Sequence, residues 1–200
     1  MSELLGTLLK TLGGKGLSEL GSLAGVNKRT AGKALTAILP SLIHGLGKNS
    51  SRPEGAESLT KALTKDHDGR ILDNIFDSLK GGGVEKDGSG ILGHILGKKQ
   101  SAVETGISKS TGIDVSKIGK IMAMVAPLLM GMLGKSRRDN NLGASDITQM
   151  LQNEDSRINR RSKKKLSPIL SFIDQDSDGD VTDDLLNIGA GFLGKLFKRR

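Results

Sequence analysis

Apolar residues along this chain recur at helical spacing, in blocks separated by glycine and polar residues. The two longest blocks cover residues 31–46 and 118–133, and their apolar side chains return every three or four positions, which is typical of a buried helix. Proline interrupts each block, at Pro40 and Pro127, and should kink the helix or start a new one. Shorter blocks of the same kind cover residues 4–12, 55–63, 91–96, 143–151 and 188–197. Since no alternating stretch is long enough for a strand, the pattern predicts an all-α protein.

The sequence repeats itself at an offset of 87 residues, with pairs such as Gly32/Gly119 and Leu46/Leu133, and this register holds from about residue 4 to 150. Beyond residue 150 the match continues at an offset of 110, so the second copy carries an insertion of about 23 residues. We therefore predict two tandem helical modules. They cover residues 1–90 and 91–200, with a glycine-rich linker at 81–90 and a basic insertion at 152–172.

The helix boundaries inside the two copies are marked by the same residue types. Gly25 and Gly112 stand where a helix should stop, in the left-handed conformation that glycine adopts most readily. Asn27 and Asp114 follow two positions later, as the N-caps of the long helices. Each copy is thus expected to contain a tight helix-turn-helix corner.

The amino-acid composition restricts the kinds of metal site and the cellular compartment that we expect. The chain has no cysteine, which excludes disulfides and thiolate metal sites and fits a reducing compartment. A basic, then apolar, signal peptide is not visible at the start, and the longest apolar run, residues 121–134, is too short to span a bilayer. We therefore expect a cytoplasmic protein, with export by another route left open and membrane contact as the disfavoured interpretation.

The net charge of +8 is concentrated in two places, a run from Arg157 to Lys165 and the last residues, Lys198–Arg200. We interpret the run as a solvated linker, because no aromatic residues interleave with it to stack on bases. The segment Gly189–Arg200 has the pattern of a small cationic amphipathic helix. The favoured interpretation is that it packs on its own module or on a neighbouring subunit, and contact with an anionic membrane is the alternative. Self-association through the Gly/Leu-rich terminal helices, as a homo-oligomer, is therefore one prediction.

An aspartate-rich loop near the C-terminus carries the clearest chemical signal. Carboxylates at alternate positions can converge on one hard cation such as Ca²⁺, and a glycine permits the bend that brings the next carbonyl inward. The sequence therefore predicts a Ca²⁺ site. Its candidate ligands are Asp174, Asp176, Asp178, Asp180 and Asp184, with the bend at Gly179.

Two observations leave this prediction open. Leu185 stands at the twelfth position, where an EF-hand has a bidentate Glu, so an Asp-rich turn that caps a helix is the alternative. The first copy has a weaker loop with Asp66, Asp68 and Asp73, because Thr64 and Arg70 replace two of its acids. A degenerate structural turn is the favoured interpretation there.

The corner before the first long helix resembles the turn and second helix of a DNA-binding helix-turn-helix. In that alternative the groove-facing residues would be Asn27, Lys28, Arg29 and Lys33, with the helix N-terminus close to phosphate. The second copy offers Asp114 and Ser116 at the equivalent positions, which weakens the nucleic-acid interpretation.

No catalytic arrangement is apparent in the sequence. His44, His67 and His94 have no metal-ligand spacing, and no serine with a nearby His–Asp arrangement or phosphate-binding loop is present. We expect His44 and His94 on helix surfaces. The sequence thus predicts a non-enzymatic structural or interaction protein, with DNA binding as the alternative.

Several segments together resemble the YidB-like family, a group of bacterial proteins of unknown function. They are Gly90–Gln100, Thr111–Ile113, Met124–Gly131, Asp66–Asn74 and the aspartate loop followed by Asp183–Leu186. The resemblance covers most of the chain. It implies a helical, homeodomain-like fold and a bacterial source, and it implies no established activity.

Overall fold

The computed structural model describes residues 3–162, in which every regular element is a helix. The all-α prediction is therefore confirmed for this part of the chain. The helices are α1 (Glu3–Leu23), α2 (Lys28–Ser50), α3 (Pro53–Lys65), α4 (Ile75–Lys80), α5 (Gly83–Leu96), α6 (Gln100–Thr111), α7 (Val115–Asn140) and α8 (Ala144–Ser162), with 3₁₀ turns at Arg70–Leu72 and Gly97–Lys99. At Gly13 the backbone leaves helical geometry, so α1 consists of two helical segments.

The long helices α2 and α7 form the centre of the molecule. Helices α1 and α8 pack on α2, α5 and α6 pack on α7, and α3 contacts both central helices. Leu39, Leu42, Ile121 and Leu129 of the central helices are completely buried, within one continuous apolar core. Each such side chain stabilises the fold by about 1.5–3 kcal/mol through removal from water.

Helix α7 is long and apolar enough to cross a membrane by length and composition alone. However, 72% of its most apolar window is buried inside the protein. Other helices thus already cover the apolar surface of α7, as expected for the core helix of a folded domain.

The predicted glycine stops and N-caps at the two helical corners are confirmed. Gly25 and Gly112 have φ angles of +67° and +70°, the left-handed conformation that glycine adopts without a steric penalty. The Asn27 side chain accepts a hydrogen bond from the Thr30 backbone N–H at 2.8 Å, and Asp114 accepts one from the Ser116 backbone N–H at 2.9 Å. Both side chains therefore cap the long helices as their residue types indicate.

No new helix begins at either proline, so that alternative was wrong. Pro40 and Pro127 lie inside the continuous helices α2 and α7, and both are buried. A proline inside a helix costs about 3 kcal/mol. Burial of apolar residues on both sides of each proline offsets this cost, so the helix continues.

The stretch expected as a linker, residues 81–90, is helical from Gly83 onward, and the expected boundary at residue 90 falls inside α5. Val84, Gly88, Ile91 and Ile95 are buried at the spacing of one helical face. Gly88 lies directly against the Ala123 backbone of α7, so closely that a Cβ atom would overlap it. Packing against α7 therefore overrides the low helix propensity of the glycines.

The beginning of the basic insertion is also helical, contrary to the interpretation as a linker. Helix α8 continues to Ser162, and its residues Leu151, Glu154 and Ile158 are buried. These positions follow helical spacing, so one face of the extension packs on the core. The remainder of the run, from Lys163 to Lys165, lies outside the described residues.

Candidate functional site

The first aspartate loop follows α3, and the structure does not bring its three acids together. Asp66 caps the end of α3 and Asp73 caps the following 3₁₀ turn. The Asp68 carboxylate accepts hydrogen bonds from the Arg70 backbone N–H at 3.1 Å and from the Arg70 Nε at 2.7 Å. Within residues 3–162, no three His, Cys, Asp or Glu side chains are close enough to hold a metal ion.

The charge of Asp68 is balanced by cations of the protein. The Arg70 backbone N–H holds the pKa of Asp68 below its ordinary value, and the Arg70 guanidinium adds to this effect. Arg138 of α7 donates to the Asp68 backbone carbonyl at 3.0 Å, and Ile71 packs against Gly131 of α7. The first loop is therefore a turn docked on α7, with arginine where a metal ion would supply positive charge.

The second aspartate loop, from Asp174 to Asp184, lies outside the described residues. Its sequence still differs from the first loop in one informative way. At the offset of 110, Arg70 corresponds to Asp180 and Thr64 to Asp174. Residues 166–194 contain six acids and no Lys, Arg or His. The second loop thus lacks the internal cation that balances the first.

The four residues of the helix-turn-helix alternative have different environments. Lys28 and Arg29 are exposed at the start of α2, as groove-facing residues would be. The side-chain oxygen of Asn27 is used in the helix cap, and Lys33 Nζ donates to the Thr111 backbone carbonyl at 2.5 Å. Only Lys28 and Arg29 of the four therefore have side chains without a hydrogen bond inside the described part of the protein.

The terminal segments expected to mediate self-association differ in what the structure describes. The N-terminal segment is part of α1, and its residues Leu8 and Leu12 are buried in the protein's own core. Their side chains are therefore not available to a second copy. The C-terminal segment, residues 188–197, lies outside the described residues.

A histidine–aspartate pair joins α2 to α8. His44 Nδ1 lies 3.1 Å from Asp155 Oδ2, and the two side chains are 18% and 22% exposed. His44 is thus half-buried, and the expectation that it lies on the surface was wrong, because α8 extends over it. His94 is exposed, as expected. Sequence reasoning missed the pair because its members are 111 positions apart.

A cleft of about 730 Å³ opens between α1, the C-terminal half of α7 and α8. We call it the α1–α8 cleft. Its apolar lining consists of Leu4, Leu72, Met132, Leu142 and Met150. Charged residues of α7 and α8, together with Asp73, also line the cleft. The cleft was not predicted, because its walls come from elements more than 100 positions apart in the chain.

Comparison with known protein families finds a match. A family model described as bacterial protein of unknown function (DUF937) matches residues 6–136. No curated protein and no solved structure matches the chain.

Proposed function

The chain belongs to this bacterial family of unknown function, as the sequence resemblance implied, and we propose that it is a non-enzymatic structural or interaction protein that binds Ca²⁺ through its second aspartate loop. The family provides no activity to transfer. The proposal therefore rests on the residues of this chain.

The observation that carries the proposal is the difference in charge balance between the two loops. The carboxylate of Asp68 in the first loop is paired with Arg70 at 2.7 Å. In the second loop an acid, Asp180, stands at the position of that arginine, and no cationic residue occurs between residues 166 and 194. A cation from solution would supply the charge that Arg70 supplies in the first loop.

Electrostatics and ligand chemistry both favour a divalent metal ion as that cation. Two like charges 4 Å apart repel by about 4 kcal/mol at an effective dielectric constant of 20, and the loop contains several such acids. Asp174, Asp176 and Asp178 provide hard oxygen ligands at alternate positions, as Ca²⁺ prefers. Asp183 or Asp184 would supply the closing ligand in place of the missing Glu.

We further propose that the loops belong to two tandem, homeodomain-like modules. Their support is that equivalent features lie 87 positions apart, including the caps Asn27 and Asp114. The contacts between the two copies are also equivalent in both directions. Gly47 of α2 faces Leu151 of α8, whereas Gly134 of α7 faces the Leu63 carbonyl of α3. In this interpretation the third helix of each module packs on the central helix of the other.

The calcium proposal is tested by thermal unfolding with and without millimolar Ca²⁺. A ligand at a hundred times its dissociation constant stabilises the folded state by about 2.7 kcal/mol, which raises the Tm of a protein of this size by roughly 5–10 °C. Asp176→Ala should abolish the rise, and Asp66→Ala, the equivalent change in the first loop, should retain it. A Tm that does not respond to Ca²⁺, or that responds equally in Asp176→Ala, would exclude the site.

The alternative is DNA binding through the corner before α2, and it is favoured only by the exposure of Lys28 and Arg29. It predicts duplex affinity that falls steeply with salt and that is lost in Lys28→Ala and Arg29→Ala. Binding that disappears only when residues 157–165 are neutralised would instead identify non-specific attraction by the basic run. Fluorescence anisotropy with a labelled duplex distinguishes these outcomes.

A further inference from the structure

The α1–α8 cleft has the shape of a groove for a helix. On its α8 side the lining residues follow helical spacing along one face, and they are Asp146, Gln149, Met150, Asn153, Glu154 and Arg157. They cover three turns of α8, a length of about 17 Å at 1.5 Å per residue. An apolar floor with a polar rim, over this length, is typical of grooves that bind an amphipathic helix.

The rim of the cleft favours a cationic ligand. Among the described residues that line the cleft, four are carboxylates and two are cations, namely Asp73, Asp139, Asp146 and the buried Glu154 against Lys135 and Arg157. Lys135 is paired with Asp139 at 2.8 Å, and Arg157 is paired with Glu154 at 3.3 Å. The described lining of the cleft therefore has a net negative charge, with Asp73 and Asp146 exposed.

Two residues of α7 that line the cleft differ in size from their counterparts on α2. On α2, Gly45 allows Ile95 of α5 to approach closely, and Asn49 donates to the backbone carbonyls of His94 and Ile95 at 2.9 and 3.1 Å. The residues 87 positions after Gly45 and Asn49 are Met132 and Ser136, and both line the cleft. Met132 lacks the small size that permits the close approach at Gly45, and Ser136 lacks the amide group with which Asn49 donates to two carbonyls.

We infer that the C-terminal segment of this same chain, residues 185–197, binds in the α1–α8 cleft as an amphipathic helix. Its apolar residues recur at helical spacing, with Leu185, Ile188, Phe192 and Leu196 on one stripe, as groove-binding helices require. As a helix this segment would be about 20 Å long, which matches the cleft. Lys195 and the basic residues 198–200 would face its acidic rim.

The part of the chain between α8 and residue 185 is long enough for the C-terminal segment to reach the cleft. The described part of α8 extends to Ser162, five residues beyond the last cleft residue on that helix, a distance of about 8 Å. Residues 163–184 separate this point from the segment, and 22 residues can reach at most about 3.3–3.6 Å each, in total far more than the length of the cleft. The contact would be made within one chain, which favours it over binding of a separate molecule.

The test uses the full chain in the presence of a calcium chelator, so that it does not depend on the proposed calcium site. The protein has no Trp or Tyr, so Phe192→Trp introduces a single tryptophan whose emission reports its burial. We expect emission at shorter wavelength than in the denatured chain, and protection from iodide quenching. Leu196→Trp provides a second reporter in case the first one perturbs the contact.

A matched pair of substitutions on α8 then identifies the cleft as the binding site. Gln149 lines the cleft and Gln152 does not, and both residues are exposed. Gln149→Arg should repel the cationic segment and shift the emission towards that of the denatured chain, whereas Gln152→Arg should leave it unchanged. Equal melting temperatures of the two variants would show that both remain folded.

Three results would overturn the inference. Tryptophan emission that equals that of the denatured chain in both reporters would show that the segment is unbound. Burial that appears only at high protein concentration would mean that the segment binds a second copy, and burial that requires vesicles of anionic lipid would mean that it binds a membrane.

Discussion

Gly88 shows how strongly one residue can be fixed by packing. A Cβ atom at this position would overlap the Ala123 backbone of α7, so we expect Gly88→Ala to force α5 and α7 apart. Overpacking of this kind typically costs about 1–3 kcal/mol. Chemical denaturation should show a lower unfolding free energy for this variant.

Gly90, two positions further along α5, is the matched control. It is exposed and has nothing within 4 Å of a hypothetical Cβ atom. Gly90→Ala should therefore stabilise the protein by about 0.5–1 kcal/mol, because alanine has the higher helix propensity. Effects of the same sign in both variants would contradict the packing described for α5.

Asp114 makes the stability depend on pH. Hydrogen bonds from the Ser116 hydroxyl and the Ser116 backbone N–H hold the pKa of Asp114 below its ordinary value. A carboxyl group whose pKa is lower in the folded state stabilises the fold above its unfolded pKa of about 3.9, and this contribution is lost as the pH falls. Compared with Asp114→Asn, the wild-type advantage in unfolding free energy should therefore shrink between pH 6 and pH 3. A difference that is constant over this range would mean that the pKa of Asp114 is not lowered by folding.

Individual residues also show which structural features can be predicted from local sequence. The left-handed glycines and the helix caps, such as Gly25 and Asn27, were predicted because their roles depend on neighbours within four positions. Gly88 was assigned to a linker, because its role depends on α7, more than 30 positions away. Glycine in a flexible linker and glycine in a tight helix contact look alike without the partner helix.

At the scale of elements, α8 extends beyond its predicted end at residue 151. The sequence signal of Ile147, Leu151 and Ile158 was interrupted by the buried Glu154 and obscured by the basic residues beside it. The exposed face of the helix carries that charge, and the opposite face packs on the core. A basic run therefore does not exclude a packed helix.

This extension predicts a specific loss of stability. Ile158 is 6% exposed, and Ile158→Ala should lower the unfolding free energy by roughly 2–4 kcal/mol, as other truncations of buried aliphatic residues do. Ser156 is exposed on the same helix, so Ser156→Ala should change it by less than about 0.5 kcal/mol. If both variants unfold at the same denaturant concentration as the wild type, residues 152–162 do not pack on the core.

In the whole molecule, residues that are far apart in sequence come together to form one core and the main features of the protein surface. The repeat could be found by aligning the chain with itself, but such an alignment does not say which helix packs on which. The contact of α2 with α8 and the contact of α3 with α7 both connect opposite halves of the sequence. The His44–Asp155 pair and the α1–α8 cleft arise from these crossings, so neither could be read from local patterns.

The contact between α2 and α8 can be tested through the coupling energy between His44 and Asp155. A half-buried hydrogen bond of this kind is worth about 1 kcal/mol, so a double-mutant cycle with His44→Ala and Asp155→Ala should give a coupling of that size. The exposed pair Lys135–Asp139, within α7, should show a smaller coupling. Additive effects of the His44 and Asp155 substitutions would mean that the two side chains do not interact in solution.

The Ca²⁺ ion proposed for the second aspartate loop has a stoichiometry that can be measured directly. Native mass spectrometry of the full chain in micromolar to millimolar Ca²⁺ should show one specifically bound ion per chain. The ion should be lost in Asp176→Ala/Asp178→Ala and retained in Asp66→Ala/Asp68→Ala. A chain that remains metal-free at millimolar Ca²⁺, or one that keeps its ion after loss of Asp176 and Asp178, would contradict the proposal.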